Sequence, residues 1–238
     1  MENSMEKPQK MEPITGYNYL AKEDDFVNTP ISTGTTIVAV EWGDEKESGV
    51  VIGADSRTTS GTYVSNRFTD KLTHVTKNIY CCRSGSAADT QAIADIVAYH
   101  LGFLEVQTGE PPRVRVAAKL FQELCYNNRD SLSAGIICAG WDRYEGGQCY
   151  TIPLGGMCVR QPVATGGSGS TYVFGYVDQN YKKGMTKQEC LTFVANYVSL
   201  AMSRDNASGG VVRLASISKN PIERFNLLGK DIPKHWQD

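Results

Sequence analysis

A threonine at the boundary between two very different stretches of sequence could act as a nucleophile. Thr35 follows Gly34 and precedes an alternating apolar segment, whereas residues 1–34 are polar and acidic. A cut between Gly34 and Thr35 would give the threonine both a hydroxyl and a free α-amine, whose ordinary pKa of about 7.7 to 8.0 suits a base at neutral pH. Gly34 fits such a cut, because a residue without a Cβ most easily admits attack of the hydroxyl on the preceding carbonyl.

Other groups that could supply a nucleophile or a base are weaker candidates. Of the three histidines, His100 falls on the apolar face of a predicted helix and is expected in the core, His74 is expected at the surface, and His235 lies in a polar tail. The glycine-rich stretch 166–170 lacks the Lys-Ser/Thr of a phosphate-binding loop and the final glycine of a nucleophile elbow. We interpret it as a tight turn before a helix.

Composition limits the classes of protein to which the chain can belong. Its 238 residues, 41% hydrophobic and 21% charged, fit one globular domain with a full core. The net charge of −2 and the lack of a dense Lys/Arg block argue against nucleic acid as a partner. Seven cysteines without Cys-x-x-Cys spacing are expected to be buried thiols in a reducing compartment. No cofactor and no metal ion is expected.

The first 34 residues do not resemble a targeting segment. They carry six acidic and three basic residues, and they lack the basic start and apolar run of a signal peptide. No uninterrupted apolar segment elsewhere reaches the length of a bilayer, so no membrane association is expected. The chain is therefore expected to be soluble and intracellular, with residues 1–34 either a removable leader or a disordered tail.

The periodicity of the apolar residues predicts an α+β fold. Alternation predicts strands, and a spacing of about 3.6 residues predicts helices. Runs of strands and runs of helices, without strict alternation, favour antiparallel sheets with helices on their outer faces, a layered sandwich. The predicted strands are 36–40, 50–54, 79–83, 135–141, 149–152, 157–159, 211–217 and 224–228, and the predicted helices are 86–108, 114–125, about 170–181 and 187–204, the last opened by a Thr186–Glu189 capping box.

Several motifs, taken in order along the chain, resemble those of one family. They are Thr35-Thr36-Ile37, residues 53–57 (GADSR), Thr69-Asp70-Lys71, residues 82–89 (CRSGSAAD), residues 167–170 (GSGS), and Arg204-Asp205 followed by residues 208–210 (SGG). Together they look like the catalytic β subunits of the eukaryotic 20S proteasome, and the resemblance covers essentially everything after Gly34. The segment 82–89, with Arg83, is most similar to the caspase-like subunit, which cleaves after acidic residues. The loop 43–48 is longer than expected for the family.

The resemblance implies a fold, a domain organisation and an activity. The fold would be the four-layer αββα sandwich of N-terminal-nucleophile hydrolases, with two antiparallel sheets flanked by helices. Residues 1–34 would be a propeptide that the chain removes by cutting itself between Gly34 and Thr35, and residues 35–238 would be the single mature domain. The mature chain would be a threonine endopeptidase that cleaves unfolded polypeptides, preferentially after acidic residues.

The resemblance also implies a role for individual residues. Thr35 would be the nucleophile and the base, tuned by the charged pair of Asp55 and Lys71. Further hydrogen-bonding groups would come from Ser168, Asp205 and Ser208. The amide of Gly85 would stabilise the oxyanion, and the main chain of Thr59 would pair with an extended substrate. Arg83 would lie at the base of the specificity pocket and suit a carboxylate, near Thr58, Thr69, Thr73, Ala87 and Gln91.

The resemblance finally implies partners and a location, and two other functions stay open. The chain would join other proteasome α and β subunits in stacked heptameric rings, in the cytoplasm and nucleus, and serve ubiquitin-dependent protein degradation. One alternative is a structural ring subunit without catalysis, against which the joint presence of Thr35, Asp55 and Lys71 argues. The other is a stand-alone amidohydrolase of the same fold, which the size of the assembly would distinguish.

Overall fold

The computed structural model describes residues 34–44 and 47–235, and these form two sheets flanked by helices. Predictions that concern residues 1–33, including the propeptide, lie outside the described residues. The strands are β1 (Ile37–Gly43), β2 (Ser48–Ala54), β3 (Thr58–Ser60), β4 (Tyr63–Asn66), β5 (Leu72–Thr76), β6 (Ile79–Gly85), β7 (Ala134–Asp142), β8 (Gly146–Ile152), β9 (Val159–Arg160), β10 (Val163–Gly166), β11 (Val212–Ser218) and β12 (Glu223–Leu227). The α-helices are α1 (Ala87–Thr108), α2 (Val114–Asn127), α3 (Phe174–Asn180) and α4 (Lys187–Arg204), and short 3-10 helices span Ser168–Tyr172 and Gly229–Asp231.

The strands pair in antiparallel fashion into two five-stranded sheets and one hairpin. The first sheet has the order β10-β1-β2-β11-β12, the second has the order β5-β6-β7-β8-β9, and β3 pairs with β4. In the first sheet, Ile37 lies opposite Ala54, so the start of β1 meets the end of β2. The residues just before β1 and just after β2 are therefore neighbours at one edge of the sandwich.

Three apolar clusters show how the layers stack. Along β1, Ile37 and Ala39 face the second sheet, whereas Val38 and Val40 pack with α4, because successive side chains of a strand point to opposite faces. The second sheet packs its outer face on α1 and α2 in the same way. The order of layers is thus helix, sheet, sheet, helix, which confirms the predicted fold class.

Several predicted elements differ from those observed. The predicted helix 170–181 is divided into the 3-10 helix Ser168–Tyr172 and α3, and β3, β4 and β10 were not predicted. The short strand-like piece expected around His74 is β5. The prediction of a core position for His100 is wrong, because this residue is exposed. Helix α1 turns only the side with Ile93, Val97 and Leu101 to the second sheet, so residues on its flank stay at the surface.

Two further predictions agree with the structure, that of the capping box and that of mostly buried, unpaired cysteines. The capping box of α4 is present, with both the Thr186 side chain and the Glu189 side chain in place. The seven cysteines are free; six are buried and Cys158 is partly exposed. In the described part of the chain, no helix combines the length and apolar character that a bilayer span requires.

Candidate active site

The hydroxyl of Thr35 lies close to groups that could promote its attack on a carbonyl carbon. Thr35 lies two residues before β1 begins and is only 3% exposed. Its Oγ1 donates to the carbonyl oxygen of Gly34 at 2.7 Å. The Nζ of Lys71 lies 3.1 Å from Thr35 Oγ1 and 3.1 Å from the same Gly34 oxygen. One amine therefore contacts both the predicted nucleophile and the predicted scissile carbonyl.

A buried ion pair holds that amine in place. Asp55 follows β2 and Lys71 precedes β5, and their Oδ1 and Nζ atoms are 2.7 Å apart. Asp55 also accepts from the backbone N–H groups of Thr36 at 2.9 Å, Gly209 at 3.0 Å and Arg57 at 3.1 Å, which fix the carboxylate. Burial lowers the pKa of Lys71, and the charge of Asp55 opposes that shift. The amine is thus shifted toward its neutral form while it remains oriented.

A second hydrogen-bonded group lies on the nitrogen side of Thr35. The Thr35 N–H donates to Ser168 Oγ at 3.2 Å, and Ser168 Oγ donates to Asp205 Oδ2 at 2.7 Å. Ser208 Oγ donates to the same Asp205 oxygen at 2.7 Å. Asp205 caps the end of α4, so the end of one helix anchors the group. All three residues predicted to support catalysis are therefore brought to Thr35.

The glycine-rich turn 167–170 wraps closely around Thr35. The amide of Gly169 donates to the carbonyl oxygen of Thr35 at 3.1 Å. Gly167 has φ +81°, and a Cβ at this position would lie 2.1 Å from the same carbonyl oxygen. Only glycine fits such an approach. Gly167 thus makes the sharp turn between β10 and the 3-10 helix Ser168–Tyr172, and this turn places Ser168 at the start of that helix.

The residues predicted to bind the substrate backbone lie on β3 and at the end of β6. Gly85 ends β6 with φ +99°, and a Cβ there would lie 2.3 Å from the carbonyl oxygen of Ser133, so the position requires glycine. Thr59 lies on β3, is 4% exposed, and accepts from the N–H of Gly34 through its Oγ1 at 3.0 Å. The oxyanion role of Gly85 and the main-chain role of Thr59 stay predictions.

Arg83 lies on β6, and its guanidinium is held by neutral oxygens. Its Nε donates to Thr73 Oγ1 at 2.7 Å, its Nη1 to the carbonyl of Ala87 at 3.4 Å and to Thr90 Oγ1 at 3.5 Å, and its Nη2 to the carbonyl of Asp70 at 3.5 Å. None of the salt bridges within residues 34–44 and 47–235 includes Arg83. The guanidinium is therefore held in a fixed orientation, and no carboxylate of the described residues forms a salt bridge with it.

The remaining residues predicted for the pocket have different surroundings. Thr58 and Thr69 share a hydroxyl hydrogen bond of 2.7 Å, which links the start of β3 to the segment before Lys71. Gln91 is exposed on α1 and donates to Asp95 Oδ1 at 2.9 Å, one turn further along the same helix. Its role in the pocket stays a prediction.

Two site residues received no role from the sequence. Thr36 Oγ1 is 2.7 Å from Ser208 Oγ, so the residue after the nucleophile joins the Asp205 group. Arg57 donates through Nη1 to the carbonyl of Asn206 at 2.7 Å, which ties the turn after β2 to the loop after α4. Both stand inside quoted motifs, but a motif does not say which oxygen a side chain contacts.

The site offers side chains for acyl transfer and none for a metal. Within the described residues, no three or more His, Cys, Asp or Glu side chains are grouped so that they could hold a metal ion. The groups that meet at Thr35 are a hydroxyl, an amine, two carboxylates and two serine hydroxyls. Such a set can activate an oxygen nucleophile and stabilise charge on an attacked carbonyl.

Comparisons with known proteins identify the family to which the chain belongs. A family model described as "Proteasome subunit" matches residues 31–217. The chain is 52% identical over 213 residues to proteasome subunit beta type-6 of Dictyostelium discoideum, covering 90% of this chain and 98% of the relative. It is 52% identical over 195 residues to proteasome subunit beta type-1 of Saccharomyces cerevisiae, covering 82% and 88%. It is 48% identical over 213 residues to proteasome subunit beta type-9 of Rattus norvegicus, covering 90% and 95%. The chain therefore belongs to the proteasome subunit family, as a β-type member.

Proposed function

We propose that this β-type subunit is a threonine endopeptidase of the 20S proteasome core, made as a precursor and activated when it cuts its own chain between Gly34 and Thr35. The observation that carries the proposal is the contact of Thr35 Oγ1 with both the Gly34 carbonyl oxygen and the Lys71 amine. Membership of the family supports peptidase activity. Residues 1–34 are then the propeptide, and residues 35–238 are the mature chain.

Self-cleavage needs a base other than Thr35 itself. In the uncut chain the Thr35 nitrogen is an amide, which cannot take a proton at neutral pH. Neutral Lys71 takes the proton as Oγ1 attacks the Gly34 carbonyl carbon, the C–N bond breaks, and the nitrogen receives a proton to become an amine. The product is an ester between Gly34 and Thr35 Oγ1. Water hydrolyses that ester, which frees the Gly34 carboxylate and the threonine hydroxyl.

Peptide hydrolysis by the mature chain follows the same course with a new base. The free α-amine of Thr35 takes the hydroxyl proton as Oγ1 attacks the substrate carbonyl. The oxygen of the resulting tetrahedral intermediate carries a negative charge, which the amide N–H of Gly85 would stabilise. The leaving amine is protonated, an acyl ester remains on Thr35, and water hydrolyses it. Ser168 stands 3.2 Å from the Thr35 nitrogen, where it can orient the amine.

The buried charges argue against a purely structural subunit. The side chains of Asp55 and Lys71 are 0% and 7% exposed. Two buried charges lose much of their hydration, so a buried ion pair is often no more stabilising than apolar residues of the same size. A chain that only held a ring together would gain little from this pair. A chain that must set the protonation of a nucleophile needs it.

We propose that the subunit cleaves preferentially after acidic residues. Arg83 is held by neutral oxygens of Thr73 and Ala87, which do not offset its positive charge. That charge is therefore available to a substrate. A substrate carboxylate would gain a charge-assisted hydrogen bond with it, which an apolar side chain cannot form. This is the caspase-like preference.

We further propose that the subunit works inside an assembly. Its partners would be other α and β proteasome subunits in stacked heptameric rings, its substrates unfolded polypeptides delivered by ubiquitin-dependent degradation, and its location the cytoplasm and nucleus. An enclosed compartment suits the proposed mechanism, because Thr59 offers main-chain pairing that accepts many sequences.

The intact mass of this chain, taken from its native assembly, tests the mechanism. We expect a loss equal to residues 1–34. In the Thr35→Ala variant we expect the full-length mass and no peptidase activity. Removal of residues 1–34 from that variant in a preparation of the purified assembly would show that another agent cuts the chain, and self-cleavage would be rejected.

Reaction of Thr35 with peptide electrophiles tests the specificity. Two otherwise identical peptide vinyl sulfones, ending in Glu and in Leu, would alkylate Thr35, and intact mass would follow this chain alone among the subunits. We expect faster reaction with the Glu probe and loss of that preference in Arg83→Ala. Arg160→Ala is the control, since Arg160 on β9 contacts Glu41 and Glu145 and no residue of the pocket. An unchanged preference in Arg83→Ala would remove Arg83 from the pocket.

A further inference from the structure

Two arginines from the β11–β12 pair hold the segment that precedes Lys71. Arg213 donates to the carbonyl oxygens of Phe68 at 3.0 Å and of Thr69 at 3.4 Å. Arg224 lies on β12, and its Nη2 is 2.7 Å from Asp70 Oδ2. Within this segment Arg213 contacts only backbone oxygens, whereas Arg224 engages a charged side chain. The carboxylate of Asp70 is therefore held from the side of the first sheet.

Asp70 is an acidic residue in direct contact with Arg83. Its carbonyl oxygen lies 3.5 Å from Arg83 Nη2. Its carboxylate nevertheless makes no salt bridge with Arg83, because Oδ1 accepts the N–H of Leu72 at 3.0 Å and Oδ2 is taken by Arg224. The carboxylate and the carbonyl oxygen that contacts Arg83 belong to one residue, so a change of the Asp70 side-chain rotamer would alter the distance between the carboxylate and the guanidinium.

We propose that Arg224 is a specificity-determining residue: by holding the carboxylate of Asp70, it keeps the charge of Arg83 available to an acidic substrate side chain. The inference rests on the proposed preference for acidic residues and goes beyond it. Among the described residues, Arg224 forms no hydrogen bond or salt bridge with Thr35 or with a residue predicted for the pocket. It also lies beyond residues 31–217, which the family model matches, so no motif points to it.

The physical reason is competition between carboxylates. A carboxylate within about 4 to 6 Å of an arginine stabilises its charge and occupies its donors. If Asp70 turned to Arg83, a substrate carboxylate would have to displace it, and the gain from binding an acidic side chain would fall. The Arg224–Asp70 pair is 37% and 41% exposed, so it adds little to stability, and its removal should leave the fold intact.

The test uses the assembled particle and the two vinyl sulfone probes that end in Glu and in Leu. In Arg224→Ala we expect the Glu-over-Leu ratio of reaction rates at Thr35 to fall by about 3- to 10-fold, a typical effect of one partly exposed charge. Arg224→Lys should keep most of the ratio. In the double variant Arg224→Ala/Asp70→Asn we expect the ratio to recover, because the amide brings no charge to Arg83 and can still accept from Leu72.

Lys187→Ala is the matched control. It removes another partly exposed ion pair to β12, with Glu223, at a position without contact to Asp70 or Arg83. Suppose that the wild-type chain prefers Glu and that Arg83→Ala does not. An unchanged ratio in Arg224→Ala would then overturn this inference alone. Failure of the double variant to recover would also overturn it, because Arg224 would then not act through Asp70. A wild-type chain without the preference would overturn the proposed specificity as well.

Discussion

Lys71 donates through Nζ to the carbonyl oxygen of Gly34 at 3.1 Å. The same nitrogen lies 3.1 Å from the hydroxyl that would attack this carbonyl. As an ammonium, Lys71 polarises the carbonyl, and as a neutral amine it can take the proton of Thr35. Burial makes the second state accessible because it lowers the pKa of Lys71. In the proposed mechanism, the protonation state of this one amine would therefore decide when the precursor can cut itself.

Lys71→Arg should stop self-cleavage. Arginine keeps a positive charge and can pair with Asp55, but its guanidinium stays protonated at any pH at which the protein is folded and cannot take the proton of Thr35. We expect the full-length mass to persist, with the processing rate reduced by at least about 100-fold, at the low end of what a general base contributes.

Lys77→Arg is the control for this substitution, because Lys77 is exposed in the turn between β5 and β6. The control should process at the normal rate. If Lys71→Arg also matured at that rate, with a far-ultraviolet circular dichroism spectrum like that of the normal chain, Lys71 would not be the base.

The rate of self-cleavage should depend on pH in one direction. The neutral form of Lys71 grows as pH rises through its lowered pKa, so the rate should rise and then level off once the amine is deprotonated. The precursor would be transferred from about pH 6 to a series of values up to about pH 9.5, and intact mass would follow processing. A rate that falls across the series would mean that the ammonium form is the reactive one.

The lowered pKa of Lys71 should also make the folding stability depend on pH in a definite direction. Because the pKa of Lys71 is lower in the folded chain than in the unfolded chain, the unfolded chain binds more protons between the two values. The contribution of Lys71 to stability should therefore rise with pH across that window. Urea unfolding of the Thr35→Ala precursor, compared with Thr35→Ala/Lys71→Met, should show this slope only in the chain that retains Lys71.

The sequence predicted the layers of the fold and the charged residues of the site for identifiable reasons. Strand β1 alternates cleanly because each of its faces meets a different core, and Asp55 and Lys71 stand in motifs of fixed order. It did not predict the position of His100, since helical periodicity shows which residues share a side and not how wide the buried side is. The hydroxyl of Thr59 and the carboxylate of Asp70 were also missed as contacts, because their partners lie 25 and 154 positions away in the chain.

Gly34→Ala should slow self-cleavage through a steric clash. A Cβ at Gly34 would lie 2.0 Å from Ala207 Cβ and 2.6 Å from the Ala207 carbonyl oxygen, so the backbone must shift and carry the scissile carbonyl away from Thr35 Oγ1. A displacement of about 1 Å at a reacting centre can cost about 100-fold in rate. Intact mass after a fixed interval should show mostly uncut chain.

Gly102→Ala is the matched control, since a Cβ there has no atom within 4 Å and the residue lies in the middle of α1. This substitution should leave processing unchanged and raise the free energy of unfolding by about 0.5 to 1 kcal/mol, because alanine favours a helix over glycine. Normal processing in Gly34→Ala would show that the precursor accommodates the methyl group without moving the carbonyl.

Thr59→Val should slow maturation because it removes the acceptor of the Gly34 N–H. Thr59 Oγ1 accepts that N–H at 3.0 Å in a buried position, and valine has the same shape without the oxygen. An unpaired buried N–H costs about 1 to 3 kcal/mol, which would displace the Gly34 peptide group from the attacking hydroxyl. We expect self-cleavage to slow by about tenfold, since about 1.4 kcal/mol corresponds to that factor. Thr59→Ser keeps the hydroxyl and should mature at close to the normal rate. Equal slowing in both variants would show that the methyl group of Thr59, rather than its hydrogen bond, positions Gly34.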